Sequence, residues 1–308
     1  MQEANQPGHL TFRPARPEDR RRMLEITANT WGDDGDYIAQ VWERWLADPQ
    51  GEFTVAELDG VVVVLAKLAW VGNGQWWMEG LRVDPAHRLK GIGQAMNTYQ
   101  VALAKKLGGH VMRYATGIRN DGSHRIAERA GFQVLTRFVE RVAEKLDEPV
   151  AGLESLTSAD RDAVWEIARD SDLVRATSGV YVYMWKVFEL TREQLAKRLD
   201  SGDLMGVRDA TGRVCAWCLT ETEPDWDRLG VTSLDGSTEG ITRLARALRA
   251  HAATLGKVMV EVMTPTVSRA LDALTAAGYH LEVDLKHPEE IREHGIDILE
   301  LRLPRPDE

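Results

Sequence analysis

The stretch EGLRVDPAHRLKGIGQAM, residues 79–96, decides the fold of the first half of the chain. It predicts a short strand, a turn at Asp84-Pro85, a basic loop and then the first turn of a helix. Two cations and two glycines lie where the loop meets the helix: Arg88, Lys90, Gly91 and Gly93. A ligand can approach glycine backbone closely, and the first N–H groups of a helix have no partner within the helix. Together with the helix dipole, these features predict a site for a phosphate-bearing ligand.

Two common nucleotide motifs do not fit this stretch. A dinucleotide fingerprint needs a third glycine where this chain has Met96, and a Walker loop needs the sequence G-K-[ST] after a longer glycine spacing. What remains is R-x-x-G-x-G after a strand that ends in V-x-P.

This remaining pattern resembles the acetyl-CoA-binding motif of the GNAT N-acetyltransferase superfamily. The resemblance continues through Asn120 and the A-E-R-A-G-F run at residues 127–132, and it covers roughly residues 10–142. It implies an α/β fold with a mixed sheet, acetyl-CoA as the donor substrate, and transfer of the acetyl group to an amine.

The length and an internal repeat predict two domains. A chain of 308 residues is about twice a common domain size. Pairing residues 147 positions apart aligns Ala277-Gly278-Tyr279 with Ala130-Gly131-Phe132, and Gly240 with Gly93. We therefore expect two tandem acyl-CoA N-acyltransferase (GNAT) folds. The expected ranges are a disordered tail at 1–9, a catalytic domain at 10–143, a linker at 144–152 and a degenerate domain at 153–304.

The two copies differ in the phosphate-binding stretch. The same spacing places Asp235 opposite Arg88, and Glu239 opposite Ile92. Carboxylates at those positions would repel a diphosphate. We expect the second copy to have kept the fold and lost the cofactor, and to serve as packing surface or as a wall of the substrate cleft.

Composition excludes several classes of protein. A net charge of −10 argues against a nucleic-acid-binding protein. No apolar run reaches the ~18 residues that a membrane span needs, and no signal peptide is evident, so we expect a cytoplasmic protein. Cys215 and Cys218 are three residues apart in an apparent strand and point to opposite faces, so no metal is expected. The oligomeric state, monomer or homodimer, stays open.

Amine acetylation needs a group that removes a proton from the acceptor, because a lysine-like amine with a pKa near ~10.4 is protonated at neutral pH. The resemblance implies that Glu79, on the strand entering the motif, is this general base. It also implies that the backbone of Leu81, Arg82 and Val83 binds the pantetheine arm, with an N–H of the last two as oxyanion donor. The pyrophosphate would be bound by the loop and helix start, and the pantetheine also by a polar pair further on: Arg88, Leu89, Lys90, Gly91, Ile92, Gly93, Gln94, and Asn120 with Ser123.

The chain departs from the family pattern at one position. Seven residues after the asparagine, where many relatives carry a tyrosine that acts as general acid, this chain has Ala127. Either Ser123, His124 or Tyr114 substitutes for it, or the thiolate leaves unassisted.

The acceptor site is expected near an acidic loop. The segment Trp31–Tyr37 is rich in aspartate and glycine and lies where this fold usually forms the acceptor site; we predict four substrate-binding residues, Asp33, Asp36, Tyr37 and Thr116. The pattern W-G-x-x-x-D-Y at residues 31–37 loosely resembles histidine-type amino-acid N-acetyltransferases. The leading hypothesis is acetylation of a small amine or amino acid. The alternatives are a protein N-terminal or lysine acetyltransferase, and a non-catalytic acyl-CoA-binding sensor.

Overall fold

The computed structural model describes residues 9–28, 36–224, 226–281 and 295–304. The strand, turn, loop and helix start predicted for residues 79–96 are present, as β4, the loop at 84–91 and the start of α3. The strands are β1 Leu10–Pro14, β2 Glu52–Leu58, β3 Val61–Gly72, β4 Gln75–Val83, β5 Val111–Gly117, β6 Gln133–Glu144, β7 Glu154–Ser155, β8 Val180–Tyr183, β9 Lys186–Glu189, β10 Leu204–Arg208, β11 Val214–Glu221, β12 Arg228–Gly236, β13 Met259–Pro265 and β14 Gly295–Arg302. The helices are α1 Arg20–Thr27, α2 Ile38–Leu46, α3 Ile92–Lys106, α4 Asp121–Ala130, α5 Arg161–Ala168, α6 Asp172–Ala176, α7 Arg192–Ser201, α8 Thr238–Thr254 and α9 Ser268–Ala276.

The chain divides into two compact units. The described residues of the first unit come from Met1–Ala115, Asn120–Gln133 and Leu299–Glu308, and those of the second from Thr116–Arg119 and Val134–Ile298. The contiguous domains expected from the sequence therefore differ from these units at both ends. The first unit takes residues from beyond residue 298, and almost all of β6 belongs to the second unit.

Pairing explains the placement of β6. It runs antiparallel to β13 in one continuous register, from Met259 opposite Glu144 to Pro265 opposite Phe138. Arg137 of β6 also forms an ion pair with the buried Asp297, with Nε 2.6 Å from Oδ1. From the sequence, this strand is expected at the end of the first domain. Its place in the second unit could not be predicted, because local patterns do not indicate which distant strand it pairs with.

In the first unit, a mixed sheet is covered by helices on both faces. Strands β1 to β5 lie in sequence order, β1 to β4 pair antiparallel, and β4 is parallel to β5. The Asp59-Gly60 turn between β2 and β3 has φ values of 52° and 81°, as a tight hairpin turn requires. On β3, Leu65 packs with the α1–α2 aromatic cluster, and its neighbours Val64 and Ala66 pack with α3. Burial on both faces accounts for the long apolar run in β3.

In the second unit, the order β6-β13-β12-β11-β10-β7 forms the sheet, and β8 and β9 form a separate hairpin. The repeat is visible in the helix that precedes each glycine-aromatic pair. Asn120 precedes α4 and Val267 precedes α9, and the glycines after these helices, Gly131 and Gly278, have φ values of 84° and 88°. Left-handed backbone at this position is the usual end of a helix.

Candidate active site

Strands β4 and β5 separate part-way along their length. They pair only where Gln75–Trp77 lies beside Val111–Arg113. Along these two fully described strands no further pairing exists, although β4 continues to Val83 and β5 to Gly117. The backbone groups on the facing edges are therefore available to an extended ligand, because a strand edge carries unpaired N–H and C=O groups.

A bulge lies in the separated part of β4. The register with β3 shifts between Leu65 and Lys67, and Gly80 has a φ of 68°. A Cβ at Gly80 would lie 2.4 Å from a ring carbon of Trp45, so only glycine fits against that ring. Gly80 lies outside the predicted site residues, although a glycine inside a strand is a recognisable sign of a bulge or a close contact.

The loop after β4 is fixed at its start by Asp84. This buried carboxylate accepts a hydrogen bond from the N–H of Ala86 and one from Arg22 of α1, and its own N–H donates to the Val63 carbonyl. Although burial opposes ionisation, these bonds hold the pKa of Asp84 below its usual range. The Arg22–Asp84 pair could not be predicted, since nothing in the spacing of these residues along the chain indicates it.

The loop ends in the backbone geometry that an anion site requires. Leu89 is fully exposed with a φ of 62°, and Gly91 has a φ of 81° immediately before α3. In the described chain, none of the backbone N–H groups of Leu89–Gln94 donates to a protein acceptor, and no side chain caps the helix. Such a row of N–H groups at a helix N-terminus binds phosphate well.

The predicted cations flank this row. Arg88 and Lys90 are exposed, and each donates to a backbone carbonyl of the loop: Arg88 Nε to Val83 at 3.2 Å, and Lys90 Nζ to Ala86 at 3.1 Å. These contacts keep both side chains close to the loop, where they add positive charge.

Gly93 and Gln94 occupy the first turn of α3. A Cβ at Gly93 would lie 3.2 Å from Ile126 of α4 and 3.5 Å from Val83, so the small residue lets the helix start lie close to both elements. The Gln94 Oε1 atom is buried and accepts no hydrogen bond from any described residue. A buried hydrogen-bond acceptor therefore lies at the start of the helix. From the sequence, Gln94 was expected at the site only because it belongs to the motif.

Glu79 is half-buried on β4, on the face that carries α1 and α2. It lies opposite Lys67 of β3, and Lys67 lies opposite Phe53, which belongs to the α1–α2 aromatic cluster. The Lys67 ammonium is buried and forms an ion pair with Asp48 at 2.5 Å. The Glu79 side chain therefore lies on the same face of the sheet as the Lys67–Asp48 ion pair.

Two of the predicted substrate residues contact Arg82. The Asp36 side chain is 2% exposed and accepts a hydrogen bond from Arg82 Nε at 2.6 Å. The Arg82 guanidinium also lies 5.6 Å from the centre of the Tyr37 ring, which packs edge-on against Trp45. Burial of the phenol group, with further contributions from Glu79 and Asp36, raises the pKa of Tyr37 to about 12. Although the residue as a whole is 41% exposed, the Tyr37 phenol therefore keeps its proton at neutral pH.

The other predicted substrate residues lie elsewhere. Asp33 falls outside the described residues. Thr116 is buried on β5, beyond the segment that pairs with β4, and is grouped with the second unit.

Asn120 and Ser123 form the start of α4. The Asn120 side chain accepts a hydrogen bond from the Ser123 N–H at 3.1 Å and so caps the helix. Tyr114 donates to the Ser123 carbonyl at 3.3 Å, and burial raises its pKa. Ala127 is 1% exposed and belongs to the apolar cluster that contains Tyr114. The position at which many relatives carry a tyrosine is therefore occupied by a buried core residue.

Between β12 and α8, both fully described, the second unit has no counterpart of the phosphate loop, which corrects one expectation from the sequence. Only Ser237 separates β12 from α8, whereas residues 84–91 separate β4 from α3. Asp235 is therefore a strand residue and not the counterpart of Arg88; it is buried and paired with Arg269 at 2.9 Å.

The N-terminus of α8 is also occupied by protein groups. Ser237 accepts a hydrogen bond from the Gly240 N–H at 3.0 Å, and a Cβ at Gly240 would lie 2.7 Å from the Cys215 carbonyl oxygen. Glu239 is exposed in the first turn. The cap therefore engages one N–H group of the helix start, and the backbone of β11 occupies the space beside Gly240.

Metal sites and membrane spans are absent from the described ranges. No group of three or more His, Cys, Asp or Glu side chains there could hold a metal ion. None of the described helices is both long enough and apolar enough to cross a membrane.

Comparison with known proteins identifies the class of this fold. The crystal structure of a GCN5-related N-acetyltransferase from Sphaerobacter thermophilus matches with a TM-score of 0.63 at 15% identity, covering 96% of each chain. A tandem GNAT protein from the clavulanic acid biosynthesis pathway matches with a TM-score of 0.58 at 15% identity, covering 96% of this chain and 98% of the other. A GCN5-related N-acetyltransferase from Kribbella flavida gives 0.53 at 14% identity, over 96% and 72%. No curated protein sequence matches. At these identities the matches show the fold, which is the tandem GNAT fold.

A family model also matches the sequence of part of the first unit. Residues 18–132 match the family model described as "Acetyltransferase (GNAT) family". These residues therefore form a domain that is similar to GNAT acetyltransferases, a family that uses acetyl-CoA as the acetyl donor.

Proposed function

We propose that the first unit binds acetyl-CoA between β4 and β5 and transfers its acetyl group to a primary amine of a small molecule or amino acid. This proposal rests on the row of backbone N–H groups at Leu89–Gln94, none of which donates to a described protein acceptor. The row follows the part of β4 that is not paired with β5. A diphosphate accepts from this row, and the pantetheine arm follows the free edge of β4 at Leu81–Val83.

The reaction forms a C–N bond and breaks a C–S bond. The neutral amine attacks the thioester carbon, and the carbonyl electron pair moves to oxygen, where an N–H of Arg82 or Val83 stabilises the oxyanion. The tetrahedral intermediate then expels the thiolate of coenzyme A. A thiolate is a good leaving group because a thiol has a pKa near ~8.5, so the place filled by Ala127 needs no acid.

Glu79 removes the proton of the attacking amine. It is half-buried in the separated part of β4, next to the bulge at Gly80 and on the face that carries Tyr37 and Trp45. The Asp36 carboxylate is paired with Arg82, so its charge is already compensated and it would attract a cationic acceptor only weakly.

Release of free thiol from acetyl-CoA in the presence of a panel of amines and amino acids tests this function. Glu79→Gln should lower kcat by about 10²–10⁴-fold, with acetyl-CoA affinity unchanged. The matched control is Glu128→Gln, an exposed glutamate on α4 that should leave turnover as it is. Equal turnover of the Glu79 variant and wild type would remove this residue from the mechanism.

The burial of Ala127 in apolar core favours a second candidate, an acyl-CoA-binding sensor without turnover. Such a protein would bind acetyl-CoA in calorimetry and release no thiol with any amine, peptide or lysine-bearing protein. Acetylation of peptides but not of small amines would instead indicate a protein acetyltransferase.

A further inference from the structure

A buried charged group lies at the point where β4 and β5 separate. Arg113 of β5 is 3% exposed and stands opposite Trp77, the last paired residue of β4. Its Nε and Nη2 atoms are each 2.7 Å from one carboxylate oxygen of Glu300, and its Nη1 is 2.5 Å from Oε1 of Gln75. The guanidinium thus connects three strand segments: β4, β5 and the end of β14.

The Glu300 carboxylate is engaged on both oxygens. Its second oxygen accepts a hydrogen bond from Arg302 Nε at 2.8 Å. The residues on either side hold the segment in the first unit, because Leu299 and Leu303 pack with Trp76 and the Leu303 N–H donates to the His110 carbonyl at 2.8 Å.

Stability alone does not account for charges at this place. Replacing a buried ion pair by apolar residues of similar volume is often neutral or stabilising, whereas removing one partner is strongly destabilising. A planar guanidinium with fixed donors does, however, define the positions of its acceptors much more narrowly than apolar packing does. The group therefore sets where Gln75 and Arg113 lie relative to each other, directly before the strands part.

We propose that Glu300 is a positioning residue for the acetyl-CoA cleft: through Arg113 and Gln75 it fixes the separation of β4 and β5. This inference rests on the proposed function, because it concerns the cleft assigned there to acetyl-CoA. It makes the last described residues of the chain part of the donor site, although Arg113 and Glu300 are 187 positions apart.

Calorimetric titration of acetyl-CoA and steady-state kinetics on the full chain test this role. Glu300→Gln should weaken acetyl-CoA binding and raise its KM by about 10-fold or more, because small displacements of binding groups are expensive in affinity and rate. The matched control is Asp297→Asn, a buried acid on the same strand that pairs with an arginine of the second unit. It should lower the melting temperature and leave acetyl-CoA binding unchanged. Equal acetyl-CoA constants for Glu300→Gln and wild type, or an equal loss in both variants, would overturn the proposal.

A double variant separates positioning from stability. Arg113→Met with Glu300→Leu removes both charges and should regain the melting temperature of wild type without regaining its acetyl-CoA affinity. Recovery of both would show that the pair only stabilises the unit.

If wild type itself does not bind acetyl-CoA, the proposed function fails, and hydrogen exchange then tests whether Glu300 fixes the separation of β4 and β5. Faster amide exchange at residues 78–83 in Glu300→Gln than in Asp297→Asn would support the role. Equal rates would refute it.

Discussion

Replacing Gly80 by alanine tests the bulge on which the site geometry depends. The new Cβ would lie 2.4 Å and 2.7 Å from two ring carbons of Trp45, and the residue has a φ of 68°. Left-handed backbone costs a non-glycine residue about 1–2 kcal/mol. Displacing a packed ring costs about 1–3 kcal/mol more. We therefore expect Gly80→Ala to destabilise the first unit by about 2–5 kcal/mol.

Gly60→Ala provides the matched control. Gly60 has a φ of 81°, and no atom lies within 4 Å of the place that its Cβ would take, so this variant isolates the backbone strain. It should cost only about 1–2 kcal/mol. Urea unfolding, with hydrogen exchange of peptides from β3 and β4 to report on the first unit, measures both variants.

A third variant locates the cause. Trp45→Leu removes the ring atoms that the new Cβ would meet, so Gly80→Ala should cost less in that background than in wild type. Equal free energies of unfolding for Gly80→Ala and Gly60→Ala, or full additivity with Trp45→Leu, would refute the close contact.

Two further predictions concern charged groups, one in each unit. Burial raises the pKa of Glu221 from 4.5 to about 7. Between these values the native state binds the proton more tightly than the unfolded state, so stability falls as the pH rises through this window. At about 1.36 kcal/mol per pKa unit the loss approaches about 3 kcal/mol. Glu221→Gln should be more stable than wild type in melts at pH 8 and equal to it at pH 4; a constant difference between the two pH values would contradict the assignment. In the first unit, a double-mutant cycle of Asp36→Asn and Arg82→Gln should give a coupling energy of at least about 1 kcal/mol in urea unfolding; additive effects would show that the pair seen at 2.6 Å does not hold the acceptor side in place.

The donor side of the site could be predicted from the sequence because its determinants are local. A glycine before a helix, a proline turn and a cationic loop are adjacent in the chain, and their backbone geometry follows from residue type. The structure accordingly has Gly91 in left-handed backbone immediately before α3. Which groups accept from the exposed N–H row stays a prediction for the experiments above.

The acceptor side could not be predicted in the same way. The sequence shows Asp36 as one of several loop carboxylates. Nothing in it indicates that the Arg82 guanidinium pairs with the Asp36 carboxylate and with none of the others. The same limit explains Asp235. An ungapped repeat placed it in a phosphate loop, but the second unit lacks the loop, and the carboxylate pairs with Arg269.

The position of β14 has a consequence for how the protein is made. Residues 1–133 emerge from the ribosome well before Leu299–Arg302, yet the first unit includes that late segment. Domains commonly fold during synthesis, N-terminal first, at about 5–20 residues per second. Here the nascent first unit keeps Arg113 and the edge of β5 uncovered until the ribosome has passed Arg302. A premature stop codon directly after Ile298 would therefore disable the half of the protein that was synthesised first.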